Sequence, residues 1–266
     1  MEQLLLPTRV ELIPEKDQKK ATLIVEPCHP GYGTTVGNAL RRVLLSSLSG
    51  GAVTAVKIQG ADHEFASIPN VKEDVVQILL NLKQLRPKVH GSESVRLMLT
   101  ANGAKEVYAR DISPNADVEI ANPDLYIATL TDKDASLSME IFVRPGRGYV
   151  PIEEREEENR EIGVIAIDSV FTPVHSVGYR IEDVRVGHKT NYDRLTMNIE
   201  TDGTIDPAEA VRQATKILMD HFNLLVNIEP TSGRKSSKKK AEAAEAEAAE
   251  PAAAEAVTEN AKEGAV

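Results

Sequence analysis

The chain has 266 residues with a formal net charge of -10; 41% are apolar and 27% are charged, enough for one or two globular domains. The negative charge argues against a protein that coats nucleic acid through bulk electrostatics. The single cysteine, Cys28, excludes an internal disulfide and a thiolate metal cluster and fits a reducing cytosol. Because the sequence shows neither a signal peptide nor a run of ~20 apolar residues, we expect a cytoplasmic protein without a membrane segment.

Short strands dominate the first 230 residues. Alternating or continuous apolar patterns, bounded by turn residues, predict strands at several places. These strands are 21–26, 52–58, 94–100, 116–120 and 136–143. A hairpin is predicted from 176–186 and 194–201, with its turn around Thr190-Asn191.

The first predicted helix, 35–48, follows a glycine-rich turn and ends before Gly50-Gly51. At 100° per residue its apolar side comprises Val36, Leu40, Val43 and Leu44. Leu45 points the opposite way, between Arg41 and Arg42. A helix that is apolar on more than one side needs more than one packing partner.

Two further helices are predicted. Residues 71–85 have a single apolar face, which is typical of a helix that lies on a sheet. Residues 206–227 begin with Asp206 as the cap and Pro207 at the first helical position. This last helix has two apolar stripes, made of Val211, Ala214, Leu218, Phe222 and Leu225, and of Ala210, Ile217 and Leu224. Two stripes indicate two partners, one of them in another subunit.

Residues 231–266 differ in composition from everything before them. They contain twelve Ala, seven Glu and six Lys or Arg, without a single Leu, Ile or aromatic residue. A segment of this kind cannot bury enough apolar surface to offset the entropy of ordering, so we expect a disordered tail.

Motifs for chemistry are few, and we predict no catalytic, cofactor-binding or metal-binding residue. The six histidines lack zinc-site spacing, and Cys28 lies in no nucleophile motif, so it is interpreted as a small apolar filler at a strand end. The acidic run 153–158 is interpreted as solvated loop charge because it lacks calcium-loop spacing. For 144–149 two interpretations remain open: a grip on a phosphate or a partner's carboxylates, or a turn after a strand.

The glycine-rich turn 31–37 could cradle a phosphate at a helix N-terminus. It matches neither nucleotide fingerprint, because Val36 replaces a small residue and Asn38-Ala39 follows the last glycine where a P-loop has Lys. We therefore expect a tight turn that aims the helix. On that helix, Arg41 and Arg42 either extend over the core edge into water or anchor a partner, and Leu45 between them favours the second interpretation.

Several segments together resemble the amino-terminal region of bacterial RNA polymerase alpha subunits. The most specific is GYGTTVGNALRRVLLSS at 31–47, preceded by Glu26-Pro27. The others are Glu73-Asp74 with ILLNLK at 78–83, GRGYVP at 146–151, and 198–209 with TDGTIDP at 201–207.

The resemblance implies an α+β fold with a discontinuous dimerisation domain, 1–50 and 170–230, a mostly-β domain inserted at 51–169, and the tail 231–266. It implies a homodimeric scaffold, without a cofactor, that nucleates assembly of the beta and beta-prime subunits in a complex with omega and sigma. Nucleotidyl transfer would belong to the large subunits. Arg42 would contact the beta subunit, with Asn38 and Arg41 beside it. The implied dimer interface consists of Val36, Leu40, Val43, Leu44, Ile217, Leu218, Phe222 and Leu225.

One departure from the family pattern concerns DNA. Members of this family typically continue into a small helical domain that binds promoter DNA, whereas the tail 231–266 lacks helical apolar periodicity. We therefore expect no direct contact of this chain with promoter DNA.

Two other functions compete with the scaffold interpretation. The first is a nucleic-acid-binding protein that uses the basic segment 234–240, which the overall negative charge disfavours. The second is a nucleotide-using enzyme built on the turn 31–37, which the missing P-loop lysine disfavours.

Overall fold

The computed structural model describes residues 4–155 and 163–226, which form an α+β structure made mostly of strands, with three α-helices. The chain up to Phe222 groups as one compact unit, and the four described residues after it belong to a second unit. The predicted disordered tail, 231–266, lies outside the described residues. None of the helices in the described part is both long and apolar enough to cross a membrane.

The first and last strands of the described chain lie in the same sheet, and a helix follows the last strand. The helices are α1 Tyr32–Ser46, α2 Val75–Leu82 and α3 Pro207–Val226. The strands are β1 Arg9–Pro14, β2 Lys20–Cys28, β3 Ser49–Ile58, β4 Pro87–Val89, β5 Val95–Asn102, β6 Lys105–Tyr108, β7 Val118–Ile120, β8 Tyr126–Leu130, β9 Ser136–Arg147, β10 Tyr149–Val150, β11 Val164–Ala166, β12 Ser169–Val170, β13 Val174–Val186 and β14 Lys189–Thr201.

The first sheet combines the two ends of the described chain in the antiparallel order β1-β2-β14-β13. Alternate side chains of its two central strands are buried, as a half-covered sheet requires. Helices α1 and α3 contribute to the core beneath it, here called the first core. Its buried members are Leu23, Val25, Cys28, Leu40, Leu44, Leu48, Val174, Val177, Leu195, Met197, Ile199, Ala210 and Ala214.

The second sheet has the antiparallel order β11-β3-β9-β5. With α2 and the small pairs β4-β7 and β6-β8 around it, the sheet belongs to a separate second core. The buried members of the second core all lie between Val53 and Ile167. Helix α2 contributes its single apolar face, Val75, Ile78, Leu79 and Leu82.

Phe171 lies where the chain passes from the second core back to the first, and it is almost wholly buried. Its ring covers Gly146, where a Cβ would be 2.8 Å from three ring atoms. Its carbonyl lies against Gly50, where a Cβ would be 2.1 Å from the oxygen. Side chains at either glycine would collide with this junction.

The helices of the structure agree with the sequence predictions in type but differ at their ends. Helix α1 begins three residues earlier than predicted. Helix α2 is shorter than 71–85, because Val71 forms a β-bridge with Leu130 and the Lys72 N–H donates to the carbonyl of Thr129. The Asp206 cap is confirmed, since the Ala208 N–H donates to its carboxylate at 3.0 Å.

The predicted hairpin exists, but its predicted turn at Thr190-Asn191 is wrong. Val186 pairs with Lys189, so the turn is Gly187-His188, and Gly187 has the positive φ of 63° that this tight reversal uses. Strand β14 therefore begins five residues earlier than predicted, and β13 also begins two residues earlier, at Val174.

Candidate functional site

The N-terminus of α1 is capped from a distant strand. Gly31 precedes the helix with a φ of 84°, a left-handed conformation that glycine adopts without strain. Since glycine has no side chain, the cap comes from Asp193 in β14: its Oδ2 accepts the N–H groups of Gly31 at 2.9 Å and Gly33 at 3.0 Å. Asp193 is only 7% exposed, and its negative charge faces the positive end of the helix dipole.

Two glycines allow α1 to lie directly against β13 and β14. A Cβ at Gly33 would be 2.9 Å from both Cβ and Oδ2 of Asp193. A Cβ at Gly37, one turn later, would be 2.9 Å from the Leu195 side chain and 3.0 Å from the Tyr179 ring. The glycine pattern therefore serves close packing between helix and sheet.

These contacts decide between the two interpretations of the 31–37 turn. The backbone N–H groups that would receive a phosphate already bind Asp193, whose charge would repel an anion. The turn therefore sets the direction of the helix.

Cys28 is buried next to this turn, at the end of β2. Burial raises the pKa of its thiol, and the charge of Asp193 adds to the shift. Its predicted role as a small buried filler is confirmed.

The far side of α1 carries the predicted polar site. Asn38, Arg41 and Arg42 are all exposed, and their spacing places them on one side of the helix with the half-buried Leu45. Within residues 4–155 and 163–226, neither guanidinium forms an ion pair. The Ser46 hydroxyl donates to the Arg42 carbonyl at 2.7 Å, leaving the Arg42 side chain uninvolved. The structure thus brings these three residues together on an open surface.

The apolar residues predicted for a dimer interface fall into two groups. Leu40 and Leu44 lie in the first core, and Leu44 is 0% exposed, so it has no surface left for another chain. Val43, Ile217 and Leu218 are partly buried and pack against the same core. The exposed members are Val36 on α1, and Phe222 and Leu225 on α3. Phe222 is 57% exposed, which is unusual for such a large apolar side chain.

The 144–149 segment combines a strand end with a turn next to α1. Arg147 pairs with Ser49 at the end of β9, and Gly148 follows with a φ of 66°. A Cβ on Gly148 would be 3.8 Å from the Ser46 carbonyl, so this turn adjoins the end of α1. Tyr149 is exposed, and the Lys83 ammonium lies 5.8 Å from its ring centre. The segment therefore does form a turn after a strand, and whether it also binds a phosphate or a partner's carboxylates stays open.

Two charged residues that sequence reasoning did not single out have structural roles. Arg155, within the acidic run, is buried; its guanidinium donates to the Thr54 carbonyl at 3.2 Å and to the Ile167 carbonyl. Glu26 accepts hydrogen bonds from Arg194 and Arg9, and these lower the pKa of its carboxyl group. Glu153 and Glu154 of the acidic run are exposed, and 156–158 lie outside the described residues. Among those that are described, no group of three or more His, Cys, Asp or Glu could hold a metal ion.

Comparison with known proteins gives consistent matches. Residues 56–172 match the family model described as RNA polymerase Rpb3/RpoA insert domain. The DNA-directed RNA polymerase subunit alpha of Symbiobacterium thermophilum is 52% identical over 213 residues, covering 80% of this chain and 67% of the relative. The subunit of the same name from Desulforudis audaxviator is 51% identical over 219 residues, covering 82% and 69%. The corresponding subunit of Alkaliphilus oremlandii is 50% identical over 219 residues, covering 82% and 68%.

Proposed function

This chain belongs to the family of bacterial DNA-directed RNA polymerase alpha subunits, and from that membership we propose that it acts as a homodimeric scaffold on which the beta and beta-prime subunits assemble. The enzyme of which such a subunit is part is a nucleotidyltransferase that works in the cytoplasm, together with omega and sigma. We assign the chemistry to the large subunits and no catalytic residue to this chain.

The two proposed domains correspond to the two hydrophobic cores. Residues 1–50 and 170–230 would form the dimerisation domain, and 51–169 the inserted domain. In support, the buried members of the first core come only from 23–48 and 174–214, whereas those of the second come from 53–167. The match to the insert-domain model covers 56–172.

The exposed pair Arg41 and Arg42 is the observation that carries the assembly proposal. Helix α1 is fixed to the first core through Leu40 and Leu44. Arg41 and Arg42 are exposed on its other side beside Asn38, and neither guanidinium forms an ion pair with a residue that the structure describes. Arginine keeps its charge and can bind a carboxylate through two parallel hydrogen bonds, which makes it a frequent interface anchor. We assign Arg42 as the main contact for the beta subunit, with Asn38 and Arg41 next to it.

The proposed homodimer buries exposed apolar side chains of α1 and α3. Val36 on α1 and Phe222 and Leu225 on α3 are the exposed members of the predicted interface. Leu40 and Leu44 contribute indirectly, because their burial in the first core fixes the position of α1. Burial of a Phe or Leu side chain contributes about 1.5–3 kcal/mol, so a few such residues from each chain stabilise a dimer.

The assembly proposal is tested with the beta subunit of the same organism. Arg42→Ala is compared with Arg110→Ala, which removes another exposed arginine whose ion pair with Asp124 lies in the inserted part of the chain. Binding of purified beta to each dimer is measured by biolayer interferometry, and the oligomeric state by light scattering.

We expect Arg42→Ala to remain a folded dimer and to bind beta ~30-fold more weakly, the effect of losing an interface anchor of about 2 kcal/mol. Arg110→Ala should bind as the wild type does. If Arg42→Ala and the wild type bind beta equally well, the assignment of Arg42 is wrong.

A further inference from the structure

Asp193 anchors the helix that carries the arginine pair, although it lies 151 positions after Arg42 in the chain. We propose that Asp193 is a positioning residue for subunit assembly: it sets the orientation of α1, and thereby the direction in which Arg42 meets the beta subunit. The inference rests on the proposed function and assigns Asp193 no contact with the partner.

The contact between Asp193 and the start of α1 depends on one side-chain oxygen. Oδ2 of Asp193 accepts both N–H groups at the start of α1, at 2.9 and 3.0 Å. The pairing of β14 with β2 is irregular at this point, since Asp193 pairs with Cys28 but Leu195 pairs with Val25. A bulge of this kind re-aims the neighbouring side chains. Here it occurs where the carboxylate must reach the helix.

Close contacts of Gly33 and Gly37 with the sheet, together with the Asp193 hydrogen bonds, fix the orientation of α1. Gly33 touches Asp193 itself, and Gly37, one turn on, touches Leu195 and Tyr179. Two close contacts with the sheet, one turn apart, restrict both roll and tilt of α1. At 100° per residue Arg42 lies opposite this buried side, so any roll of the helix turns Arg42 by the same angle.

The alternative explanation for Asp193 is that it only stabilises the fold. The presence of a carboxylate at this position favours a positioning role in addition. Asp193 shares its buried face of β14 with Leu195, Met197 and Ile199, where an apolar residue would avoid the cost of burying a charge. The carboxylate is retained at the one position from which it binds the start of α1. A bidentate guanidinium contact depends strongly on direction, whereas an ammonium ion acts as a point charge on a flexible stem.

This difference between arginine and lysine gives a test that separates positioning from stability. Asp193→Ala and the milder Asp193→Asn are made in the wild type and in an Arg42→Lys background. Asp183→Asn serves as the matched control, because Asp183 pairs with Asp193 across β13 and β14 but is exposed. Measured quantities are the beta dissociation constant, the dimer fraction, and hydrogen exchange of the 29–36 peptide.

We expect Asp193→Ala to accelerate exchange of the 29–36 peptide and to weaken beta binding ~10-fold. Asp193→Asn should be intermediate, because the amide oxygen can still accept both hydrogen bonds but lacks the negative charge that strengthens them. In the Arg42→Lys background the same change should weaken binding less than ~2-fold, since lysine does not need a fixed direction. Asp183→Asn should leave exchange and binding unchanged.

Equal losses of affinity in the two backgrounds would overturn the positioning role, and so would faster exchange without any loss of affinity. If hydrogen exchange of the 29–36 peptide were unchanged in Asp193→Ala, Asp193 would not anchor the start of α1. Wild-type affinity of Arg42→Lys and Arg42→Ala together would instead refute the assignment of Arg42, whatever happens at Asp193.

Discussion

Gly146 should tolerate no side chain, and Gly146→Ala measures how tightly Phe171 closes the junction between the two cores. The added Cβ would be 2.8 Å from three atoms of the Phe171 ring. The ring is almost fully buried, and the Phe171 N–H donates to the Gly148 carbonyl at 2.8 Å, so the ring cannot move away without disturbing the strand. Overpacking of a closed site costs typically about 1–3 kcal/mol.

Gly178→Ala is the matched control for this prediction. Gly178 also lies in a strand, but a Cβ there would have nothing within 4 Å. Both substitutions reduce the entropy of the unfolded chain by about the same amount, ~0.4–1 kcal/mol, so the difference between them isolates the collision. We expect Gly146→Ala to be less stable than Gly178→Ala by about 1–3 kcal/mol.

Urea unfolding at one fixed protein concentration measures this difference, because concentration affects the stability of any oligomer. In a thermal melt, a chain of this size should lose roughly 2–4 °C per kcal/mol. The companion variant Phe171→Leu removes ring atoms from the collision, so in the double variant the two losses should be less than additive. Equal stability of Gly146→Ala and Gly178→Ala would refute the reasoning, as would full additivity with Phe171→Leu.

Two further predictions concern charge and association. The hydrogen bonds from Arg194 and Arg9 lower the pKa of Glu26 below its usual 4.5, so its contribution is present above that pH and lost as the pH falls through the folded-state pKa. Glu26→Gln should therefore lower the unfolding free energy by up to about 1 kcal/mol at pH 7, with the difference vanishing in urea melts at acidic pH. Phe222→Asp places a charge on the exposed face of α3 and should give monomers at micromolar concentration by light scattering. Lys216→Asp, at an exposed position 120° around the same helix from Phe222, should remain dimeric. A dimeric Phe222→Asp would contradict the proposed interface.

Local patterns were sufficient to predict the parts of the fold that depend on nearby residues. The alternation in β2 and β9 predicts strands because each covers one face of a sheet. The start of α3 is predictable because its cap, Asp206, is adjacent in sequence. Asn38, Arg41 and Arg42 are predictable as a group because helical spacing alone places them on one side.

Parts that depend on distant partners were missed. Strand β1 has one partly buried apolar residue, Leu12, and is identifiable mainly by its pairing with β2. The predicted α2 was too long because Val71 and Lys72 instead bond to β8 and the residue next to it, and an apolar run does not reveal such a partner. Leu44 appeared free for a second partner, but Leu195 and Met197 belong to the same core.

The contact between Asp193 and the start of α1 is a long-range feature that the sequence indicates only in part. The turn before α1 begins with Gly31, so the helix lacks a side-chain cap of its own, and its first N–H groups need an acceptor from elsewhere. Asp193 occupies a position whose alternate neighbours, Leu195 and Met197, are apolar, so the pattern of β14 places a carboxylate on a buried face. A buried carboxylate requires donors, and an uncapped helix supplies them. Each signal is visible in the sequence, but only the pairing of β14 with β2 brings the two together.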